Sequence, residues 1–307
     1  MGKGAGTAPP SESTVPPPLP TLQSELMTSY DPRITPARPD LAASQLAGKV
    51  EAARFVDGQV REIADASAPV RRSPSPDAPL DTEALKGERV TIYESNEEGW
   101  SWGQLASDGY VGWLPTSALR DPGPAQTHRV AVPRTLVFPG PSIKLPPIEG
   151  LSLGCRLVVA RIDGPLAVTD ANGFIPASHL KPLDTREPDF VAVAERFLGV
   201  PYLWGGKSSL GLDCSALVQL ALTACGVACP RDSDMQERAL GVVVAMSDLQ
   251  RGDLVFWQGH VAIVRDATTL LHANVFHMAV AIEAVAEAIA RIRAAGSEVT
   301  SVRRLRL

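Results

Sequence analysis

Residues 204–221 read Trp-Gly-Gly-Lys-Ser-Ser-Leu-Gly-Leu-Asp-Cys-Ser-Ala-Leu-Val-Gln-Leu-Ala. A polar, glycine-rich loop ends at Asp213. An apolar helical run begins at Cys214 and extends to about Cys225, with Gly226 as its stop. A cysteine in the first turn of a helix faces unpaired backbone N–H groups and the positive end of the macrodipole, and both favour the thiolate. The same N–H groups suit an oxyanion on an attacked carbonyl. The glycines upstream leave room for a substrate backbone. An isolated cysteine is more often a buried structural residue, so the reading of Cys214 depends on what the rest of the chain supplies.

Working outward, residues 189–198 carry a helical apolar period, and three strands are predicted after the Cys214 helix, over 253–257, 260–265 and 270–275. His260 opens the second of these strands and His272 sits in the third. A thiol nucleophile needs an imidazole to take its proton and a third polar group to orient that ring. The two histidines share a sheet face only if residue numbers paired across the hairpin sum to an even value. Met278 to Ala295 reads as an amphipathic helix, with Glu283 and Glu287 early and Arg291 and Arg293 late. Val299 to Leu307 alternates like a closing strand. The last third of the chain is thus α+β. His128, His179 and His277 receive no catalytic role. Cys155 and Cys225 read as core and Cys229 as a turn residue. A Cys pair four apart without a second pair is a poor zinc signature, so no metal and no cofactor is expected.

The other two thirds differ in composition: of 27 prolines, only Pro201 and Pro230 lie beyond residue 188. Residues 1–28 are predicted to lack packed structure. A short helix is expected over 37–49 and a loop over 67–79. From Leu80 to Leu119, short alternating runs separated by Asn96–Gly99 and Asp108-Gly109 predict a small β-barrel. Residues 127–183 read as a weaker copy, since Gly-Phe-Ile-Pro-Ala-Ser-His-Leu (173–180) parallels Gly-Trp-Leu-Pro-Thr-Ser-Ala-Leu (112–119) position by position. The expected organisation is a tail over 1–28, a lead-in and first barrel over 29–121, a second barrel over 122–184 and the α+β part over 185–307. A net charge of −5 without a Lys/Arg cluster argues against nucleic acid as a partner. The lack of an apolar run near the ~20 residues of a membrane span argues against a membrane partner. With no apolar segment at the N-terminus, a cytoplasmic location is expected.

Five stretches carry a resemblance: Phe-Leu-Gly-Val-Pro-Tyr-Leu-Trp-Gly-Gly (197–206), Gly-Leu-Asp-Cys-Ser-Ala-Leu-Val (211–218), Gly-Asp-Leu-Val-Phe-Trp (252–257), Gly-His-Val-Ala-Ile-Val (259–264) and Leu-Leu-His-Ala (270–273). In this order they resemble the NlpC/p60 family of papain-like cell-wall peptidases. Residues 50–120, above all Gly-Trp-Leu-Pro at 112–115, resemble a bacterial SH3 domain. The implied fold is a papain-like α+β catalytic domain preceded by two small SH3-like β-barrels, similar to the members that recycle murein peptides. The resemblance implies Cys214 as nucleophile, His260 as general base and His272 as the orienting member. It implies cleavage of the bond between γ-D-Glu and a diamino acid, in murein peptides with a free N-terminal L-Ala.

A free amine calls for a nearby carboxylate. Asp213 is a candidate, beside Ser215 and Tyr202, although a helix N-cap is its competing reading. Trp204 is expected as a pocket wall or a core aromatic. By resemblance, Tyr110 and Glu88 of the first SH3 unit close this subsite, Glu83 standing close to Glu88. Three other readings compete: an exported peptidoglycan endopeptidase with SH3 wall anchors, a non-catalytic wall-binding protein, and a thiol acyltransferase.

Overall fold

The computed structural model describes residues 1–2 and 30–306. The tail expected over 1–28 lies, beyond its first two residues, outside them.

A seven-stranded antiparallel sheet forms first. Its strands are β1 (Gln59–Ile63), β2 (Ser67–Arg71), β3 (Leu80–Leu85), β4 (Arg89–Ser95), β5 (Trp100–Leu105), β6 (Val111–Pro115) and β7 (Leu119–Arg120), in the order β3-β2-β6-β5-β4-β1-β7. Ile63, Val70, Val90, Leu105 and Leu114 are buried inside it. Strand β2 corrects the loop expected over 67–79. Pro69 fits there because β2 pairs with β3 along its length but meets β6 only at Arg71↔Trp113, so few ladder donors are demanded of it. The helix expected over 37–49 is also absent. Ala42–Ala43 pair in parallel with Phe55–Val56, and only Ser44–Leu46 form a 3-10 turn. The extended chain lets Leu41 and Ala43 pack on Tyr93, Trp102 and Trp113, which a helix of two apolar residues cannot match.

Residues 128–182 form three small sheets from β8 (His128–Val130), β9 (Arg134–Val137), β10 (Glu149–Ser152), β11 (Arg156–Leu157), β12 (Val159–Asp163), β13 (Leu166–Thr169), β14 (Phe174–Pro176) and β15 (Leu180–Pro182). The two parallel sequence endings fold alike. Each runs from a strand through one 3-10 turn, Thr116–Ala118 or Ala177–His179, into a short strand. Ile63 pairs with Leu119 as Val130 pairs with Leu180. The N–H of Gly87 donates to Ile63 as that of Gly154 does to Val130.

The last part contains α1 (Phe190–Glu195), β16 (Lys207–Ser208), β17 (Gly211–Leu212), α2 (Cys214–Ala224), α3 (Ser233–Ala239), β18 (Val242–Val244), β19 (Leu254–Trp257), β20 (His260–Val264), β21 (Thr269–Asn274), β22 (Ala279–Ala284), α4 (Val285–Ala294) and β23 (Val299–Arg304). A six-stranded sheet, β18-β23-β19-β20-β21-β22, packs against α1 and α2. Strand β22 corrects the long helix expected over 278–295. Met278 sits at φ +50°, a left-handed turn that breaks a helix. The six residues after it complete a ladder on β21, from Asn274↔Ala279 to Thr269↔Ala284. Only from Val285 does the helical period operate. One apolar core spans α1, α2 and residues 130–180, with Leu85 reaching in from the first sheet. A Cβ added at Gly154 would stand 3.2 Å from Leu85 and 3.5 Å from Leu220, so glycine there lets all three parts meet.

Candidate active site

Helix α2 begins at Cys214 because Asp213 caps it: the Asp213 carboxylate accepts from the Ala216 N–H at 2.8 Å and from Ser215 Oγ at 3.1 Å. The same carboxylate accepts from the Gly205 N–H at 3.0 Å and from both terminal nitrogens of Arg231, at 2.9 and 2.7 Å. Arg231 is fully buried and spends every donor. Besides Asp213, it bonds Ser215 Oγ at 2.9 Å, the Gly206 carbonyl at 3.2 Å and Thr82 Oγ1 of β3 at 2.7 Å. Five donors meet on Asp213, so its contacts describe a cap and a buried ion pair rather than a carboxylate open to an amine. Ser215 is drawn into the same network.

The loop before the cap is held from the first sheet. Gly205, at φ +74°, lies so close to β3 that an added Cβ would stand 2.3 Å from the Leu80 carbonyl. The close approach expected of a substrate backbone is made here by the protein itself. Glu83 accepts from the Lys207 N–H at 2.7 Å, and Glu88 from Lys207 Nζ at 3.1 Å. Glu88 is therefore misplaced as a substrate contact. It is 5% exposed, paired with Lys207, and lines a separate cavity with Gln219.

Across α2 lie the histidines. The β20–β21 register pairs Ile263 with Leu271 and Val264 with Leu270, numbers that sum to 534, so His260 and His272 share a face. His260 Nε2 stands 2.9 Å from His272 Nδ1. The glycine of the tight turn Gln258-Gly259 (φ +73°) opens β20. Helix α2 packs against β20, which His260 opens, and the backbone N–H groups of Val261 and Ser215 favour the Cys214 thiolate. Burial pushes the thiol up to about 12 and outweighs the N–H groups. Burial also pushes His260 down to about 3 and His272 to about 4. Burial and the backbone N–H groups at the helix terminus thus act on the Cys214 thiol in opposite directions.

A cavity of about 260 Å³ opens over Cys214. Tyr202, Trp204 and Gly259 bound it on one side, and Tyr110 with Asp81 of the first sheet on the other. Tyr202 is half-buried, and its hydroxyl is raised by burial and by the neighbouring sulfur. Trp204 is 65% exposed, a rim and not a core aromatic. Tyr110 Oη donates to Asp232 Oδ2 at 3.2 Å. Three contributors were missed by the sequence reading. Arg33, from the lead-in, bridges Asp232 at 2.8 Å and Asp234 at 2.8 Å. Asp232 itself is raised by burial. Asp81 has one cationic partner, Arg72, whose side chain is 74% exposed. The run Pro230-Arg-Asp-Ser-Asp before a short helix was the sequence hint to Arg231 and Asp232. Among the described residues no His/Cys/Asp/Glu group is placed to hold a metal, and no helix is long and apolar enough to cross a membrane.

Two stretches that contribute residues to this cavity match known families. Residues 199–297 match the NlpC/P60 family, and residues 70–119 match the bacterial dipeptidyl-peptidase SH3 domain. The chain carries an NlpC/P60 domain. The NlpC/P60 match holds Cys214, His260 and His272, and the SH3 match holds Asp81 and Tyr110. A gamma-D-glutamyl-L-lysine dipeptidyl-peptidase of Bacillus subtilis is 30% identical over 191 residues, 58% of this chain and 64% of that protein. Its Bacillus cereus counterpart is 28% identical over 228 residues, 64% of this chain and 67% of that protein. The chain thus spans about two thirds of the length of these relatives. The crystal structure of an NlpC/P60 family protein from Bacillus cereus superposes with a TM-score of 0.68 at 22% identity, covering 80% of this chain and 99% of that one, a likeness of fold.

Proposed function

We propose that this chain is a cysteine peptidase that hydrolyses the γ-D-Glu–diamino acid bond of murein peptides bearing a free N-terminal L-Ala. The carrying observation is that one small cavity joins Cys214 to polar groups of the first sheet, while His260 and His272 pair on the sheet against which the Cys214 helix packs. The names of the relatives support the bond type. In this reading Cys214 Sγ attacks the γ-carbonyl while its proton passes to His260. The oxyanion meets first-turn N–H groups of α2, the helix end whose donors lack intrahelical partners. Collapse expels the diamino acid amine, which takes the proton from His260. Water then hydrolyses the thioester and restores the thiol.

The wall across the cavity supplies selection. Asp213 is saturated and Glu88 lies elsewhere, so Asp81 takes the place of Glu88 as the carboxylate that meets an ammonium, with Tyr110 and Asp232 beside it. Residues 122–184 are read as a second SH3-like unit, on the matched endings and paired glycines. With the wall from the first sheet read as the end of the amine subsite, the reading extends to short released peptides and to a recycling role in the cytoplasm. The test compares L-Ala-γ-D-Glu-diaminopimelate with its N-acetylated form and with purified sacculi. Selective turnover of the free amine is expected. Equal turnover of both peptides overturns amine selection, and digestion of sacculi favours the exported endopeptidase instead.

A further inference from the structure

Strand β22 brings a carboxylate under the second histidine. Glu283 Oε2 stands 3.1 Å from His272 Nε2, and His272 is fully buried. Glu283 is also gripped by Arg291 of α4, through Nε to Oε1 at 2.9 Å and an Nη to the same Oε2 at 2.6 Å. The chain of contacts is therefore His260, His272, Glu283, Arg291, drawn from three adjacent strands and α4, and α2, which begins at Cys214, packs against the strand that His260 opens.

We propose that Glu283, held by Arg291, is a positioning residue that sets the direction of the proton chain through both histidines. The inference rests on the peptidase reading above. A carboxylate only accepts, so His272 must carry its proton on Nε2. Its Nδ1 is then an acceptor, which requires His260 to carry its proton on Nε2. That leaves His260 Nδ1 as a free lone pair, the atom that takes the Cys214 proton. During attack the S–H bond breaks, the N–H bond forms at His260 Nδ1, and the other two protons stay on their nitrogens. The imidazolium so formed is stabilised through His272 by the carboxylate. Without Glu283, His272 is free to hold its proton on Nδ1. His260 is then driven to the tautomer with its N–H toward the sulfur, which is useless as a base.

Arg291 keeps Glu283 ionised: its hydrogen bonds hold the carboxyl below the usual range, so the proton stays on His272. The other titratable groups facing the pair are His260 and His277, and neither offers a competing acceptor charge.

Two measurements test this, and the first needs no substrate. Nitrogen-15 spectra of the wild-type protein should show His272 as the Nε2–H tautomer, and Nδ1–H there overturns the proposal. In the second, Glu283→Gln should lower kcat by about 10–100-fold with KM within twofold, and slow iodoacetamide alkylation of Cys214 in parallel. Arg291→Gln should give a smaller loss of the same kind. A Glu283→Gln enzyme that melts like wild type and keeps kcat and alkylation rate within twofold overturns it. Cys214→Ala and His260→Ala serve as controls: if they too retain hydrolysis, the peptidase reading fails, whereas their loss beside an unaffected Glu283→Gln isolates the failure to this inference.

Discussion

The two walls of the cavity are built in opposite ways. Behind its exposed rim at Trp204, the Cys214 wall is buried, and its polar groups Asp213, Ser215 and Arg231 are consumed in bonds to one another and to Thr82. The facing wall is partly exposed and comes from three distant segments, with Arg33 from the lead-in, Asp81 and Tyr110 from the first sheet, and Asp232 from the loop before α3. The difference separates chemistry from selection. A proton relay tolerates little displacement and profits from low dielectric, so it is packed. A recognition wall must admit the ligand, so Asp81 is left with an exposed cation, Arg72, as its partner, an ion pair that carries little energy.

The sharpest way to break this division is at the sulfur. Cys214→Ala should cut hydrolysis by about 10⁴-fold or more while leaving the melting temperature near wild type. Activity within tenfold of wild type removes Cys214 from the chemistry. Next comes the joint between the walls. Arg231→Met leaves the Asp213 charge buried without its partner and frees Thr82, so a loss of about 3–5 kcal/mol is expected in denaturant unfolding. A change below about 1 kcal/mol would mean that Asp213 is not the cap-and-pair its contacts describe. On the selection wall, Asp81→Asn should lower kcat/KM for the free-amine peptide by roughly 10–50-fold and leave the acetylated peptide unchanged. Equal effects on both peptides would move amine recognition off Asp81.

The last comparison concerns pH, where the change over any one unit is small. His260 and His272 are held neutral below the ordinary histidine value of 6.5, so the unfolded chain binds more protons as the pH falls beneath it. Stability should drop from about pH 6.5 toward 4, by at most roughly 1.4 kcal/mol per pH unit for each histidine. The Tm difference between wild type and His272→Gln, followed from pH 7.5 to 4.5, should narrow in that window. A constant difference would show that His272 does not titrate with unfolding.

The relay was partly legible in sequence. Cys214, His260 and His272 each sit at the start or middle of a recognisable element, and the parity rule stated the condition on which they meet. Glu283 was hidden because its stretch has helical spacing, and the ladder offered by β21 outweighed that period. Glu88 misled because a carboxylate at a plausible position in the first sheet is also what pins Lys207, and only burial distinguishes the two uses.

By itself, the sequence determined what local rules govern: the cap at Asp213, the helix behind Cys214, the alternation of the strands, and the repeat between 112–119 and 173–180. Hydrogen bonds within a few residues and the side-chain period decide such features. Which carboxylates face the cavity, and which one stands under His272, was decided only by tertiary structure. Those pairings join residues as far apart as Arg33 and Asp232, and they follow from how the sheets and helices bury their apolar faces against one another.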